Sequence, residues 1–114
     1  MTATTTFPND ASCRVTQPAL EFLGRRWIGI ILLAAHHGAR RFSQYRAFIP
    51  AISDRLLSQR LKELEQRGLI DRTVVPSSPV QIRYSLSERG SDLLAAVQPL
   101  IAWSLRNPGT FIDA

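Results

Sequence analysis

The sequence predicts a mainly α-helical protein that carries one small β-hairpin. Four segments with the apolar spacing of helices precede two short β-rich segments, and one more helical segment follows them. The residues between the β-rich segments, Pro76–Pro79, have the composition of a hairpin tip. The chain has 114 residues, of which 45% are hydrophobic, so it is long enough to bury a single modest core.

Local signals set the boundaries of the first four helices. The first helix carries an apolar stripe and ends at Gly24. The second is apolar on nearly all sides, which predicts a buried central helix. Pro50 closes the third, because the residue before a proline avoids helical geometry. Ser53 opens the fourth as its N-cap. The predicted helices cover residues 15–23, 27–35, 42–48 and 53–67.

The second half of the chain begins with two predicted strands, over residues 70–75 and 80–86. In the second strand apolar residues alternate with Gln81, Arg83 and Ser85, which predicts one polar face. Ser87 then caps a long final helix that runs to Leu105. Pro99 lies inside this helix, and we expect it to kink or split the helix.

This order of elements describes a winged helix-turn-helix, in which two helices joined by a tight turn are followed directly by a β-hairpin. We expect residues 13–106 to form this domain, 1–12 to form a flexible N-terminal arm and 107–114 a short tail. The apolar face of the final helix is wider than one small core needs, and such a face usually marks a partner. We therefore expect a homodimer in which the final helix takes part.

Composition restricts the class of partner and the compartment. Thirteen arginines and one lysine against nine acidic residues give a net charge of +5, which favours a polyanionic partner. The single cysteine, Cys13, allows no intrachain disulfide, as is usual in a reducing cytoplasm. The N-terminus lacks the features of a signal peptide, and the apolar run Ile28–Ala35 is too short to cross a bilayer. We expect a cytoplasmic protein without membrane contacts.

The fourth helix has two chemically different faces. Leu57, Leu61 and Leu64 fall on one side, as a core stripe would. The centre of the opposite side is polar and carries no acid. Arginine and glutamine are the side chains that pair with guanine and adenine edges in the major groove, so this face favours double-stranded DNA as the partner. It holds Arg55, Ser58, Gln59, Lys62 and Gln66.

Positive charge concentrates around this helix, because residues 39–72 contain eight basic and four acidic side chains, or +4 of the total. Two readings of this surface stay open. One is a sequence-specific DNA-binding regulator, and the other is a winged-helix protein-interaction module whose basic face is only solvated. For the first, the candidate DNA-binding residues are Arg41, Ser43, Gln44, Arg46, Ser53, Arg55, Ser58, Gln59, Lys62, Arg72 and Arg83.

Several short motifs agree in order and spacing with one known family: Cys13, Gly24–Trp27, Arg40–Arg46, Ile52–Ser53, Leu57–Leu64, Gly68–Arg72 and Tyr84–Gly90. Over roughly residues 13 to 105 the sequence resembles the HxlR family, a MarR-related group of winged-helix regulators. The resemblance implies a homodimer that is joined through its first and last helices and bound to a palindromic operator. In some members it also implies a response to electrophiles or oxidants through an N-terminal cysteine. Two positions depart from the family pattern: Arg14 stands where proline is usual, and Pro99 lies inside the final helix.

Cys13 is therefore the candidate sensing residue, for an oxidant or another small-molecule effector. It lies beside Arg14 and close to the predicted N-terminal arm. The alternative is an inert, partly buried cysteine. His36 and His37 fit a helix C-terminus better than a metal site, and we expect no metal, cofactor or catalytic site, since the sequence has no phosphate loop or nucleophile motif.

Overall fold

A computed structural model of the protein describes residues 10–112 and confirms the winged helix-turn-helix architecture. The two strands pair as an antiparallel hairpin, and a short 3₁₀ turn, Pro108–Thr110, follows the last helix. The elements are α1 (Asp10–Leu23), α2 (Ile28–His36), α3 (Phe42–Phe48), α4 (Asp54–Gln66), β1 (Ile70–Val75), β2 (Gln81–Leu86) and α5 (Glu88–Arg106). Their order is the predicted one.

Helix α2 lies at the centre of the fold, as its composition predicts. Ile28, Ile31 and Leu32 are completely buried, and the helix packs against α1, α3, α5 and β2. The predicted leucine stripe of α4 closes the core from the other side, since Leu57, Leu61 and Leu64 are all buried. Burial of this stripe turns the opposite face of α4 outwards.

Serine caps begin the two helices where the sequence predicts them. The Ser53 hydroxyl accepts a 3.1 Å hydrogen bond from the Leu56 amide and so caps α4. The Ser87 hydroxyl accepts a 2.9 Å bond from the Gly90 amide and donates a 2.6 Å bond to the Gly68 carbonyl. Ser87 therefore caps α5 and also ties it to the end of α4.

Gly90 allows the start of α5 to approach β1 closely. A Cβ atom at this position would lie 2.0 Å from the carbonyl oxygen of Leu69, a distance that backbone atoms do not tolerate. The Ser87 amide also donates a 3.1 Å hydrogen bond to the Leu69 carbonyl. The lack of a side chain at Gly90 thus allows α5 to pack directly against the base of the hairpin, where the Ser87 bond holds it.

The start of the first helix differs from the prediction by more than one residue. Helix α1 begins at Asp10 rather than Val15, so residues 10–12, which we assigned to the arm, are helical. Apolar spacing misses this first turn because its residues carry no apolar stripe. The remaining residues of the predicted arm, 1–9, lie outside the described residues.

Pro99 does not split the final helix. Helix α5 continues from Glu88 to Arg106 through this residue, so of the two expected effects a split is excluded and a kink stays a prediction. A proline removes one amide donor from the helical ladder, and the helix retains the others on both sides. Burial of Leu94 and partial burial of Val97 hold the helix against the core around the proline.

The hairpin projects from the body of the protein. Val74 and Ile82 are partners in the register, and their exposed fractions are 50% and 36%. Strand β2 begins at Gln81, so Val80, which we predicted to be its first residue, belongs to the loop. Apolar side chains near the tip therefore face solvent instead of a core, as suits a wing that contacts another molecule.

An apolar groove of about 450 Å³ opens between α2 and α5. Ile30 of α2 is 37% exposed there, so one side of this central helix faces the groove. On α1, Val15 and Leu20 are 74% and 64% exposed. Within residues 10–112, no helix combines the length and apolar character needed to span a membrane. The groove is lined by Leu23, Gly29, Ile30, Leu33, Val97, Leu100, Ile101, Ser104 and Phe111.

Candidate nucleic-acid interface

The polar face of α4 is solvent-exposed over the whole length of the helix. It lies opposite the buried leucine stripe, and the N-cap Ser53 is exposed at its beginning. Since α4 is the second helix of the helix-turn-helix, it occupies the position of a recognition helix, and this face is the one available to DNA. The exposed side chains are Arg55, Ser58, Gln59, Lys62 and Gln66.

Three predicted contacts, Ser58, Lys62 and Arg72, meet in a cavity of about 340 Å³ between α4 and the hairpin. Tyr84 lines the same cavity because it is the register partner of Arg72, and paired residues share one face of a hairpin. Glu65 is the acid at this cavity. The cavity thus brings together two cations and the Ser58 hydroxyl, which could contact the phosphate backbone of DNA.

A second cavity, of about 330 Å³, brings together Arg41, Gln44 and Arg83 beside the α2–α3 turn. Arg83 follows the face opposite to Tyr84, because neighbouring residues of a strand point to opposite sides. Arg72 and Arg83 therefore lie on different faces of the hairpin.

Two predicted contacts also have structural partners. Arg46 forms an ion pair with Asp54 that links α3 to the first turn of α4. The side-chain oxygen of Gln44 accepts hydrogen bonds of 2.8 and 3.0 Å from the amides of Arg40 and Arg41, so this residue caps α3. Ser43, in the first turn of α3, is exposed. Gln44 keeps its side-chain amino group as a donor toward a ligand.

The base of the hairpin is bonded to the helix-turn-helix at Tyr45. This residue is completely buried, and its hydroxyl donates a 2.7 Å hydrogen bond to the Tyr84 carbonyl. The pKa of Tyr45 is raised to about 12. Burial is the main cause of the rise in pKa, the charge of Arg40 opposes it, and Tyr84 adds to it. The hydroxyl is therefore protonated and available as a donor at neutral pH.

Comparison with known proteins identifies the family. The profile of the HxlR-like helix-turn-helix family matches residues 22–109. The chain belongs to this family. The transcriptional regulator YodB of Bacillus subtilis is 40% identical over 92 residues, which cover 81% of this chain and 82% of that protein. This member of the HxlR-like family is thus a helix-turn-helix transcriptional regulator that binds DNA, and not an enzyme.

Solved structures agree with this assignment. The reduced form of YodB superimposes with a TM-score of 0.74 at 40% identity, covering 81% of this chain and 90% of that one. The redox regulator HypR in its reduced form gives 0.77 at 32% identity, covering 83% and 94%. YodB has also been solved in a diamide-treated and a quinone-bound form, and HypR in an oxidised form.

Several arginines of this HxlR-like regulator make contacts within the fold, among them Arg40, Arg60 and Arg67, which charge counting could not reveal. Arg40 donates two 2.8 Å hydrogen bonds to the carbonyls of Ala35 and Ala39. Arg60 is buried, and the guanidinium of Arg67 lies 4.2 Å from the centre of the Phe22 ring. The eight basic residues of the segment are therefore not all available to DNA. For Arg60, the acid Glu63 three residues later was the one available sequence signal.

Cys13 lies in the first turn of α1 as a half-buried free thiol, and the adjacent Arg14 is exposed. The two histidines lie at the end of α2, where the ring of His37 stacks on Phe48 with centroids 5.7 Å apart. Among residues 10–112, no three His, Cys, Asp or Glu side chains group closely enough to hold a metal ion.

Proposed function

We propose that this regulator binds a palindromic DNA operator as a two-fold homodimer, in the cytoplasm, and that modification of Cys13 alters its affinity for the operator. The exposed face of α4, with no acid at its centre, is the observation that carries the proposal. A docking surface for a protein would not require arginine and glutamine to stand together on a helix whose other face is buried.

For DNA docking we propose that α4 enters the major groove with its first turns toward the bases. Arg55 and Gln59 are exposed there and can make bidentate hydrogen bonds to guanine and adenine. Lys62 lies further along, in the cavity shared with Ser58 and Arg72, and is better placed for phosphate. The hairpin then follows the neighbouring backbone.

For the homodimer we propose that α1 and α5 supply the interface. The exposed apolar side chains of α1 and the open groove beside α5 would otherwise remain in water. A two-fold axis between the subunits would set the two α4 helices about 34–36 Å apart, which matches half-sites one helical turn apart. A palindromic operator follows from that symmetry.

For sensing we propose that an electrophile or oxidant reacts at Cys13. The quinone-bound and diamide-treated forms of YodB support this class of effector. With a quinone, the thiolate sulfur would form a bond to a ring carbon while the π bond of that C=C breaks and its electron pair moves to the conjugated carbonyl oxygen, which takes up the thiol proton. The C–H proton of the attacked carbon then moves to the other carbonyl oxygen, which gives a hydroquinone thioether. Because Cys13 lies in α1, an adduct there would disturb the proposed interface. The distance between the two α4 helices of the dimer would then change.

The test of DNA recognition begins with selection of bound fragments from the source genome. Arg55→Ala or Gln59→Ala should weaken binding to the selected operator by about 1–3 kcal/mol and relax the preference at one base pair. Lys62→Ala should weaken binding to all sequences alike and lower the salt slope. If wild type selects no common sequence, or both recognition variants bind like wild type, sequence-specific DNA binding through α4 is wrong.

A further inference from the structure

The buried face of α4, opposite the proposed DNA contacts, carries an arginine among its leucines. Arg60 is only 9% exposed. Its Nε donates a 2.9 Å hydrogen bond to the backbone carbonyl of Arg26, and one terminal nitrogen donates a 2.7 Å bond to Glu63. Arg26 belongs to the turn between α1 and α2. A single planar guanidinium thus joins the middle of α4 to this turn through Nε and to Glu63 of the same helix through a terminal nitrogen.

Glu63 completes the connection from the same face of α4. Its second carboxylate oxygen lies 2.8 Å from a terminal nitrogen of Arg25, also in the turn. The side chains of Arg60 and Glu63 are 11% and 19% exposed, so the pair is largely shielded from water. Removal of one partner would leave the other charge shielded from water and without a counter-charge. The two side chains are therefore held together in one geometry.

The turn itself has an unusual backbone that external contacts must support. Trp27 adopts φ 79° and ψ −11°, the left-handed region that residues other than glycine rarely occupy. The bond from Arg60 reaches the carbonyl immediately before this residue. About two turns further along, at the C-cap of α4, Arg67 lies over the ring of Phe22 in α1. Both arginines thus hold α4 to the same α1–turn segment.

We propose that Arg60 is a positioning residue for DNA readout, which sets the angle of α4 from behind without touching DNA. This inference rests on the proposed function of α4 in the major groove. Bidentate contacts from Arg55 and Gln59 require their side chains in a narrow range of positions, whereas contacts to phosphate tolerate small displacements. Loss of the Arg60 connection therefore reduces sequence discrimination more than it reduces non-specific binding.

The test compares wild type with Arg60→Lys, which keeps the charge but lacks the rigid fork that reaches Arg26 and Glu63 together. Affinity is measured by fluorescence anisotropy for the selected operator and for a scrambled duplex of equal length, over a series of salt concentrations. Circular dichroism and urea unfolding define conditions in which the variant is folded. We expect the ratio of specific to non-specific affinity to fall roughly tenfold, as on loss of one base contact, with an unchanged salt slope.

Arg106→Gln is the control, since it removes a cation at the end of α5, away from this connection. Its ratio of specific to non-specific affinity should equal that of wild type. If Arg60→Lys does not fold, Glu63→Gln serves instead, because it removes the charge that Arg60 and Arg25 share; its ratio should also fall.

Two results overturn the positioning role. One is an unchanged ratio in a folded Arg60→Lys or Glu63→Gln protein. The other result comes from a further variant, Arg60→Gln, which removes the positive charge. If Arg60→Gln lowers the salt slope of DNA binding by about one unit, Arg60 contacts a phosphate directly. A wild-type protein that binds operator and scrambled duplex equally would overturn the proposed function itself, so the two failures are distinguishable.

Discussion

The hydroxyl of Tyr45 donates a 2.7 Å hydrogen bond to the backbone carbonyl of Tyr84 and thereby joins α3 to β2. The two rings also meet edge to face, with centroids 6.4 Å apart and planes at 86°. On the same strand residue, the Tyr84 amide donates to the Arg40 carbonyl. The base of the hairpin is therefore bonded to the helix-turn-helix at both backbone polar groups of one residue, which fixes the direction in which the wing projects.

Tyr45→Phe should destabilise the protein by about 1–3 kcal/mol at pH 7, because the Tyr84 carbonyl loses its partner in a buried place. It should also change the alkaline limb of the stability profile. Burial raises the pKa of Tyr45 from 10.0 to about 12. The unfolded state therefore loses this proton first, and the stability present below pH 10 declines as the pH rises toward 12, by roughly 3 kcal/mol in total.

Urea unfolding at intervals from pH 8 to about pH 12 measures this effect. The difference in free energy of unfolding between wild type and Tyr45→Phe should shrink as the pH rises above about 10, since the variant has no group to ionise there. Other titrating side chains contribute equally to both proteins. A difference that stays constant across this range would mean that the Tyr45 pKa is the same in both states.

The two faces of the hairpin should contribute separately to DNA binding. Arg83→Ala and Arg72→Ala should each lower the salt slope of DNA binding by about one unit, because each removes one proposed phosphate contact. The double variant should lower it by about two. Arg106→Ala, at the end of α5, is the control and should leave the slope as in wild type. An unchanged slope in Arg83→Ala would mean that the wing does not approach the backbone on that face.

Gly90→Ala should destabilise the fold by about 1–3 kcal/mol or more, because the added methyl group meets the Leu69 carbonyl and α5 must shift. Gly29→Ala is the contrasting variant. A Cβ atom there meets nothing within 4 Å, and an alanine inside helix α2 should add roughly 0.5–1 kcal/mol. Thermal unfolding at pH 7 compares the three proteins, and equal midpoints for Gly90→Ala and wild type would contradict the close approach.

Leu20→Asp should convert the proposed homodimer into a monomer. Leu20 is 64% exposed on α1, so a carboxylate there leaves the core intact but would be buried without a partner in the interface. Sedimentation velocity at micromolar concentration measures the state of both proteins. Val74→Asp, at an exposed position on the hairpin, should remain dimeric. A wild-type protein that sediments only as a monomer would end the dimer proposal.

Cys13→Ser should make operator binding insensitive to a quinone or a mild oxidant. Wild type should show an altered operator affinity after treatment, and a reductant should reverse the effect of the oxidant but not of the quinone adduct. Anisotropy measurements before and after treatment compare the two proteins, and mass spectrometry identifies the modified residue. If both proteins respond alike, the effect comes from another site and Cys13 has no sensing role.

The sequence by itself determined the order of the elements and the two ends of α4. Helical spacing of Leu57, Leu61 and Leu64 was enough to assign the buried and exposed faces, and the Ser53 and Ser87 caps were found where local composition placed them. These features depend on residues within one or two helical turns of each other, so the chain order alone specifies them. The exposure of Arg55 and Gln59 followed for the same reason.

Only the tertiary structure decided which cations are free. Arg60 and Arg55 have the same chemistry and belong to the same helix, yet one is bonded to the α1–α2 turn and the other faces solvent. The bond from Arg60 to Arg26 spans 34 positions of the chain, and the one from Tyr45 to Tyr84 spans 39. No local pattern carries such a distance, because partners across the fold are set by how whole elements pack once the core is buried.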